Sequence, residues 1–119
     1  MVDIGAPGRS VGDFTIFDGA VLDARGVREV GRYYGTQTTV AFGDRHIVQS
    51  MITFQLGRGD TLTFGGIGEY PTDGAGLVIG QRFTRPVFGG TGSYAGARGT
   101  VTTIRREDGS YQQKFRIET

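Results

Sequence analysis

Glycine spacing is the feature that most constrains the fold of this chain. Glycine occupies 22 of the 119 positions, and the longest stretch without one runs from Gly43 to Gly57. Because glycine costs about 1 kcal/mol relative to alanine inside a helix, helices of ordinary length are disfavoured throughout. The glycines follow no three-residue period and only 3 prolines occur, which excludes collagen-like chains and Pro-rich disorder. The spacing therefore predicts an all-β protein with little or no helix.

The length of the chain predicts one domain. The first residues, MVDIGAPGRSVG, contain three glycines and a proline without periodicity. This composition indicates a flexible N-terminal arm over residues 1–12, followed by a single domain over residues 13–119. The sequence contains neither a charged and apolar leader nor an apolar run long enough to span a bilayer. We therefore expect a cytoplasmic protein without a membrane partner.

The inventory of charged and metal-ligating residues limits the chemistry. The chain has 13 basic and 12 acidic residues without a run of five like charges, which argues against a nucleic-acid partner. It has no cysteine, and its single histidine is His46. Most metal sites, and the Ser-His-Asp triad and Cys-His dyad of hydrolases, need a histidine with partner side chains around it. We therefore expect no metal and no cofactor. His46 follows a turn, where a surface imidazole is the usual finding.

Short β-rich runs separated by turn residues fill the rest of the chain. Consecutive strands joined by short turns favour an antiparallel meander. Such a meander leaves two edge strands unpaired unless its first and last strands pair and close the sheet. The pattern therefore predicts a closed antiparallel up-and-down β-barrel of about eight strands, with a β-sandwich as the alternative. Gly89 to Gly92 is interpreted as a turn or bulge, because no lysine and helix follow it as in a phosphate loop. The predicted strands cover residues 13–23, 27–42, 46–56, 61–70, 75–88, 98–105 and 110–118.

The stretch from Gly89 to Gly99, GGTGSYAGARG, resembles the G-G-T-G-x-Y/F-x-x-A-x-G signature of the allene oxide cyclase and dirigent barrels. The stretch from Phe17 to Asp23, FDGAVLD, with Gly26 and the pair Val30-Gly31, is similar to their first strands. The resemblance spans Val11 to Ile117 and is greatest to the short bacterial spirotetronate and polyether cyclases. It implies a cofactor-free, oligomeric barrel that closes rings on polyketides.

Strand alternation predicts which side chains line the interior of such a barrel. The inward set mixes aromatic rings, amides, hydroxyls and arginines, which is typical of an apolar pocket that orients one polar group. Unpaired polar groups cost about 1 to 3 kcal/mol each in a ligand-free core. The alternative is a reversed face assignment, in which these side chains meet solvent. The predicted substrate contacts are Gln37, Phe54, Tyr70, Gln81, Phe83, Thr103, Arg105, Gln113 and Phe115.

Arg85, Tyr33 and Tyr111 are the candidate catalytic residues. A guanidinium at the mouth of a barrel binds a carboxylate, tetronate or β-dicarbonyl oxygen and withdraws electron density from a conjugated system. The tyrosines stack on a polyene and donate to a carbonyl, unless they are ordinary core aromatics. The alternative for Arg85 is a rim salt bridge to Asp60, Asp73 or Glu69.

The predicted pocket and the family resemblance together predict a cofactor-independent cyclase of polyketide biosynthesis. It folds a conjugated intermediate in the lumen for a Diels-Alder or hetero-Diels-Alder closure. Selecting a reactive conformer lowers the barrier by several kcal/mol without an acid, a base or a metal. The alternative is a non-catalytic barrel that binds a lipophilic small molecule, as dirigent proteins and lipocalins do.

Apolar residues assigned to the outer faces of the strands predict a partner for this surface. Together with the resemblance, they predict a homodimer or a homotrimer. The residues assigned outward are Ile47, Leu62, Phe64, Val78 and Phe88.

Overall fold

The computed structural model describes residues 12–70 and 80–118, except for the side chain of Tyr70. These residues form seven strands and one short 3-10 turn, so the predicted all-β class is confirmed. The strands are β1 (Phe14–Leu22), β2 (Glu29–Ala41), β3 (His46–Gly57), β4 (Asp60–Tyr70), β5 (Arg82–Thr91), β6 (Arg98–Arg105) and β7 (Tyr111–Glu118), with the turn at Gly92–Tyr94. Within the described ranges, no helix has the length and apolar character of a membrane span.

All seven strands belong to one antiparallel sheet in the order of the chain, which confirms the predicted meander. The predicted start of the fifth strand at Ala75 and most of the predicted N-terminal arm lie outside the described residues. Gly12, the last residue of that arm, is described, and its amide donates to the carbonyl of Thr39. Pairing between β1 and β7 is not among the ladders of residues 12–70 and 80–118. Closure into a barrel of about eight strands therefore stays a prediction.

The sheet curls so that side chains on the inner face of distant strands contact one another. In a flat sheet, β3 and β7 are separated by four strand spacings, or about 19 Å. The ring of Phe115 on β7 nevertheless lies 5.7 Å from that of Phe54 on β3 and 5.3 Å from that of Phe64 on β4, measured between centroids. Aliphatic side chains complete this core. Its buried members are Ile52, Phe54, Leu62, Phe64, Val87, Ala97 and Val101.

Two of the residues assigned to the outer surface lie in this core. Leu62 pairs with Phe54 and Phe64 pairs with Ile52 across β3 and β4. Opposed residues of an antiparallel pair point to the same side of the sheet, so both side chains face inward. Phe64 is 0% exposed, and the outward assignment of Leu62 and Phe64 is wrong. Phe88 is exposed as predicted, whereas Val78 lies outside the described residues.

The glycine-rich motif after residue 88 connects β5 to β6. Strand β5 continues to Thr91, so Gly89 and Gly90 lie in the strand, and the register shift in its pairing with β4 falls at Phe88, before the predicted turn or bulge. The Thr91 hydroxyl donates to the carbonyl of Gly59 over 2.8 Å. The amide of Ser93 donates to Asp60 Oδ1 over 2.9 Å, so a carboxylate of the chain itself occupies this turn. Gly92 has φ of +63° and packs against Asp60, where a Cβ does not fit.

Candidate functional site

Arg85 lies inside the curled sheet and not at its rim. Its side chain is 4% exposed, although it was predicted to lie at a barrel mouth. Nη1 donates to the hydroxyl of Ser50 over 2.7 Å, and Nη2 donates to the hydroxyl of Thr103 over 2.9 Å. Since Ser50 belongs to β3 and Thr103 to β6, one guanidinium connects three strands.

Two of the predicted rim partners of Arg85 have other partners. Glu69 forms a salt bridge with Arg45 over 2.8 Å, and this hydrogen bond lowers the pKa of the Glu69 carboxyl. Asp60 accepts from the amide of Ser93. The third, Asp73, lies outside the described residues. Among the described residues, Arg85 donates hydrogen bonds to the hydroxyls of Ser50 and Thr103.

The two hydroxyls are themselves held in place. Thr103 Oγ1 donates to Oε1 of Gln113 over 2.6 Å. Ser50 Oγ donates to the carbonyl of Gly66 over 3.4 Å. A hydroxyl that donates to one group and accepts from another has its lone pairs fixed toward the donor. Arg85, Ser50, Thr103 and Gln113 therefore form a continuous hydrogen-bonded group, which we call the arginine network.

Aromatic rings flank the guanidinium. Its central carbon lies 4.6 Å from the ring centroid of Phe83 and 5.5 Å from that of Phe64. Phe83 precedes Arg85 by two residues on β5, so strand alternation puts both side chains on the inner face. Rings at these distances attract a cation and restrict its motion. The result is a positively charged, planar group fixed between hydroxyls and aromatic faces.

The structure brings together four of the residues predicted for the site: Arg85, Phe83, Thr103 and Gln113. Gln37, a fifth, is half-buried and pairs with Ser50 across β2 and β3. Ser50 was not among the predicted site residues. Strand alternation alone does not show that Arg85 reaches across β4 to contact it.

Tyr33, Phe54 and Phe115 lie in the other half of the interior. The ring of Tyr33 lies 6.2 Å from those of Phe17 and Phe54, and Phe115 contacts Phe54. Tyr33 is four residues from Gln37 along β2, a distance of about 13 Å. The predicted catalytic set of Arg85, Tyr33 and Tyr111 is therefore not assembled in one place.

The remaining predicted residues lie toward the solvent-exposed edge beyond the arginine network. Arg105 Nη1 donates to the hydroxyl of Tyr111 over 3.3 Å, and Tyr111 is 43% exposed. Gln81 Nε2 donates to the carbonyl of Glu69 over 3.4 Å. The backbone of Tyr70 pairs with His46, and its side chain is not described.

The prediction of a surface imidazole at His46 is wrong, because this residue is only 2% exposed. Its ring contacts that of Phe42 edge to face at 5.1 Å. Burial alternates along β3, and His46 is in phase with Val48 and Ser50. That phase is readable in the sequence, but the turn before His46 obscured it. Asp13 is buried as well, and its carbonyl accepts from the amide of Thr39 over 2.9 Å.

Two grooves lie on the outer surface of the described sheet. One, of about 570 Å³, crosses β5 to β7 and is lined by cationic and threonine side chains, among them Arg82, Lys114 and Thr102. The other, of about 420 Å³, crosses β1 to β3 beside Tyr34 and Met51. Among residues 12–70 and 80–118, no three His, Asp or Glu side chains cluster as a metal site would require. We take the arginine network as the candidate site, because Arg85, Ser50 and Thr103 are buried polar side chains that contact one another.

Comparison with known proteins defines the fold. No protein-family model matches the chain, and no curated protein matches its sequence. A solved structure of a pyocyanin demethylase superposes with a TM-score of 0.73 and covers 98% of this chain and 88% of that chain. The two sequences are 22% identical, so this similarity establishes a related small β-sheet fold.

Proposed function

We propose that this chain is a cofactor-independent cyclase that binds a conjugated small molecule at Arg85 and folds it for ring closure. The buried guanidinium carries the proposal, because it lies between two hydroxyls and two phenyl rings on the inner face of the sheet. Carboxylates, tetronates and β-dicarbonyl enolates are the oxygen groups that this arrangement accommodates.

A ligand oxygen takes the place of a hydroxyl at Nη1 or Nη2. An anionic oxygen adds the attraction of opposite charges to the hydrogen bond from the guanidinium, which a neutral hydroxyl does not, so exchange with an anionic oxygen is favourable. The low dielectric constant of a buried site strengthens this attraction further. The ring of Phe83, whose centroid lies 4.6 Å from the guanidinium carbon, offers an apolar surface to the conjugated chain of the ligand.

The ring closure itself requires no proton and no external electron. In a Diels-Alder closure, three π bonds become two σ bonds and one π bond, and every atom of the substrate is retained. Hydrogen bonds from Arg85 to an oxygen conjugated with the dienophile lower its electron density and stabilise the polarised transition state. Restricting the rotors of the chain supplies the larger contribution. Phe64 contacts both the guanidinium of Arg85 and the rings of Phe54 and Phe115, so aromatic side chains close the interior next to the guanidinium.

Two similarities support an enzyme of this class. The glycine-rich motif and the first strands resemble allene oxide cyclase and dirigent barrels. The pyocyanin demethylase of related fold is, by its name, an enzyme that acts on a small molecule. We also propose that the curled sheet closes into a barrel of the allene oxide cyclase type. Slow amide exchange in β1 and β7, equal to that in β3, is the expected result, and fast exchange along either strand contradicts closure.

The experiment uses a synthetic tetronate that carries a tethered conjugated diene. We expect the wild-type protein to remove the diene absorbance while the mass of the compound stays unchanged. Arg85→Gln is expected to lower this rate about tenfold or more, equivalent to about 1.4 kcal/mol of transition-state stabilisation. Arg82→Gln is the matched control, since Arg82 lies on the same strand but faces outward. Saturable binding without turnover would favour a non-catalytic carrier, and equal rates in both variants would contradict the role of Arg85.

A further inference from the structure

The groove of about 570 Å³ on the outer face of β5 to β7 is lined by two neighbouring cations of one strand. Lys114 and Arg116 are both exposed on β7. They alternate with Phe115, whose ring lies in the core, so they face outward. Across the strand pair, Lys114 is opposite Thr102 and Arg116 is opposite Thr100. Two cationic and two hydroxyl side chains therefore share one small area of the outer face.

The spacing of a β-sheet places these four side chains within reach of one ligand. Opposed Cβ atoms lie about 5 Å apart, and residues two positions apart on one strand lie about 7 Å apart. The four residues thus mark a rectangle of about 5 by 7 Å, with the cations along one long side and the hydroxyls along the other. We call Lys114, Arg116, Thr100 and Thr102 the cationic cluster.

The positive charge of the cationic cluster is not neutralised by the described part of the chain. In residues 12–70 and 80–118, neither Lys114 nor Arg116 forms an ion pair. Glu118 follows Arg116 by two residues on the same face, but its carboxylate pairs with Arg98 over 3.5 Å. Neighbouring like charges repel each other, and an anion bound between them removes this repulsion. The cluster therefore favours a negatively charged ligand.

The threonines add hydrogen-bond donors beside the two cations. Thr102 Oγ1 lies 3.0 Å from Oγ1 of Thr84 on β5, and either atom is able to donate. When Thr84 donates, the hydroxyl hydrogen of Thr102 remains available for a ligand. Thr100 is exposed, so its hydroxyl is open to a ligand from solvent. An anion above the cluster thus receives hydrogen bonds from both β6 and β7.

We propose that the cationic cluster is a binding site for a phosphate group. A phosphate carries up to two negative charges and accepts hydrogen bonds on three terminal oxygens. A guanidinium binds two of these oxygens at once, while ammonium and hydroxyl groups donate to the third. A carboxylate has one charge and two oxygens, and therefore uses fewer of the four donors.

The shape of the groove accommodates a ligand larger than phosphate. Beyond the cluster, the groove continues over Thr84 and Ile104 toward Arg82, and this part has room for the organic group of a phosphate monoester. The cluster lies on the outer face of the sheet, whereas Arg85 lies inside it. The phosphate site is therefore independent of the function proposed for Arg85.

The test titrates isotope-labelled protein with inorganic phosphate and with phenyl phosphate. An ionic strength of about 0.01 M keeps the screening of exposed charges low. We expect saturable shifts of the backbone amide resonances of Thr100, Thr102, Lys114 and Arg116. Tighter binding of phenyl phosphate identifies a monoester as the ligand, and equal binding identifies free phosphate. The absence of saturable shifts at these residues with both probes at millimolar concentration overturns the proposal.

Three variants distinguish a defined site from a diffuse positive surface. Lys114→Gln is expected to weaken phosphate binding about tenfold, equivalent to about 1.4 kcal/mol. Arg82→Gln is the matched control, because it removes the same charge from the same face about 12 Å from Lys114, and is expected to weaken binding about twofold or less. Thr100→Val keeps a β-branched side chain and removes one donor, and is expected to weaken binding about threefold.

All three substituted residues are exposed, so the variants are expected to fold, and circular dichroism checks this. Equal losses of affinity in Lys114→Gln and Arg82→Gln would show general attraction by the positive surface and overturn the site. Unchanged affinity in Thr100→Val would overturn it as well, because the hydroxyls then make no contact with the phosphate.

Discussion

In one half of the interior, the rings of Phe54, Phe64 and Phe115 contact one another nearly edge to face, at centroid distances of 5.2 to 5.7 Å. In the other half, Arg85 is fixed by hydrogen bonds to Ser50 and Thr103, and the ring of Phe64 borders both halves. The same strands supply both halves, and only the identity of the inward residues changes along them. The aromatic half buries apolar surface. The polar half holds a guanidinium donor whose hydroxyl acceptors a ligand oxygen can replace.

This difference teaches where stability and function separate. Burying aromatic rings is the dominant favourable contribution to folding. A hydrogen bond to a hydroxyl contributes about 0.5 to 1.5 kcal/mol net, because water competes for the same groups. We therefore expect the aromatic half to determine the free energy of unfolding and the polar half to determine ligand binding.

The largest expected effect is the loss of a ring from the aromatic half. Phe64→Ala removes a fully buried side chain and is expected to lower the free energy of unfolding by about 3 to 5 kcal/mol. Urea unfolding followed by circular dichroism measures the change. Phe88→Ala is the control, since Phe88 is 50% exposed and its loss is expected to cost less than about 1 kcal/mol. Equal costs at the two positions would remove the distinction between core and surface.

In the second prediction, the loss of catalytic activity is larger than the loss of stability. Arg85→Ala is expected to lower kcat/KM for the tethered tetronate about tenfold or more. Its free energy of unfolding should change less than that of Phe64→Ala, because the hydroxyls of Ser50 and Thr103 regain water when the guanidinium is gone. Kinetics and urea unfolding on the same preparation give both numbers. An unchanged kcat/KM would make the arginine network purely structural.

The third prediction concerns the outer face, which belongs to neither half. Ile16, Tyr34 and Met51 are exposed on β1 to β3, and we propose that this apolar surface joins copies of the chain. Sedimentation at micromolar concentration is expected to show a homodimer or a homotrimer, and Met51→Lys is expected to shift the population toward the monomer. Wild-type protein that sediments as one 12.8 kDa chain would contradict the proposal.

The smallest expected effect comes from exposed carboxyls that lie outside both halves. Hydrogen bonds from the Ser110 hydroxyl and amide hold the pKa of Asp108 below its ordinary value of 3.8. Since the folded-state pKa is the lower one, this contribution is present above pH 3.8 and is lost as the pH falls through the folded-state pKa. Urea midpoints measured downward from about pH 5 should therefore decrease slightly less in Asp108→Asn than in wild type. Identical slopes would show that this contact adds nothing to stability.

Local sequence patterns were sufficient to predict the strands and to predict several of the side chains that face inward. Gly spacing excluded helices, and alternation correctly placed Phe54, Thr103 and Phe115 on the inner face, since side chains of a strand alternate whatever the strand pairs with. The same rule was available for His46, which is in phase with Val48. The turn residues Gly43 to Arg45 indicate exposure instead, and the observed burial along β3 follows the alternation.

The tertiary structure alone decided which inward residues meet. Alternation gives a face but no distance, so it grouped Tyr33 with Arg85, although they lie in different halves. Contact between Arg85 and Ser50 depends on the register of β3, β4 and β5, and contact between Phe54 and Phe115 depends on the curl of the whole sheet. Leu62 and Phe64 were placed outward for the same reason, because their face follows from pairing with Phe54 and Ile52. Register and curl are set by many contacts between residues far apart in sequence, and no local pattern contains them.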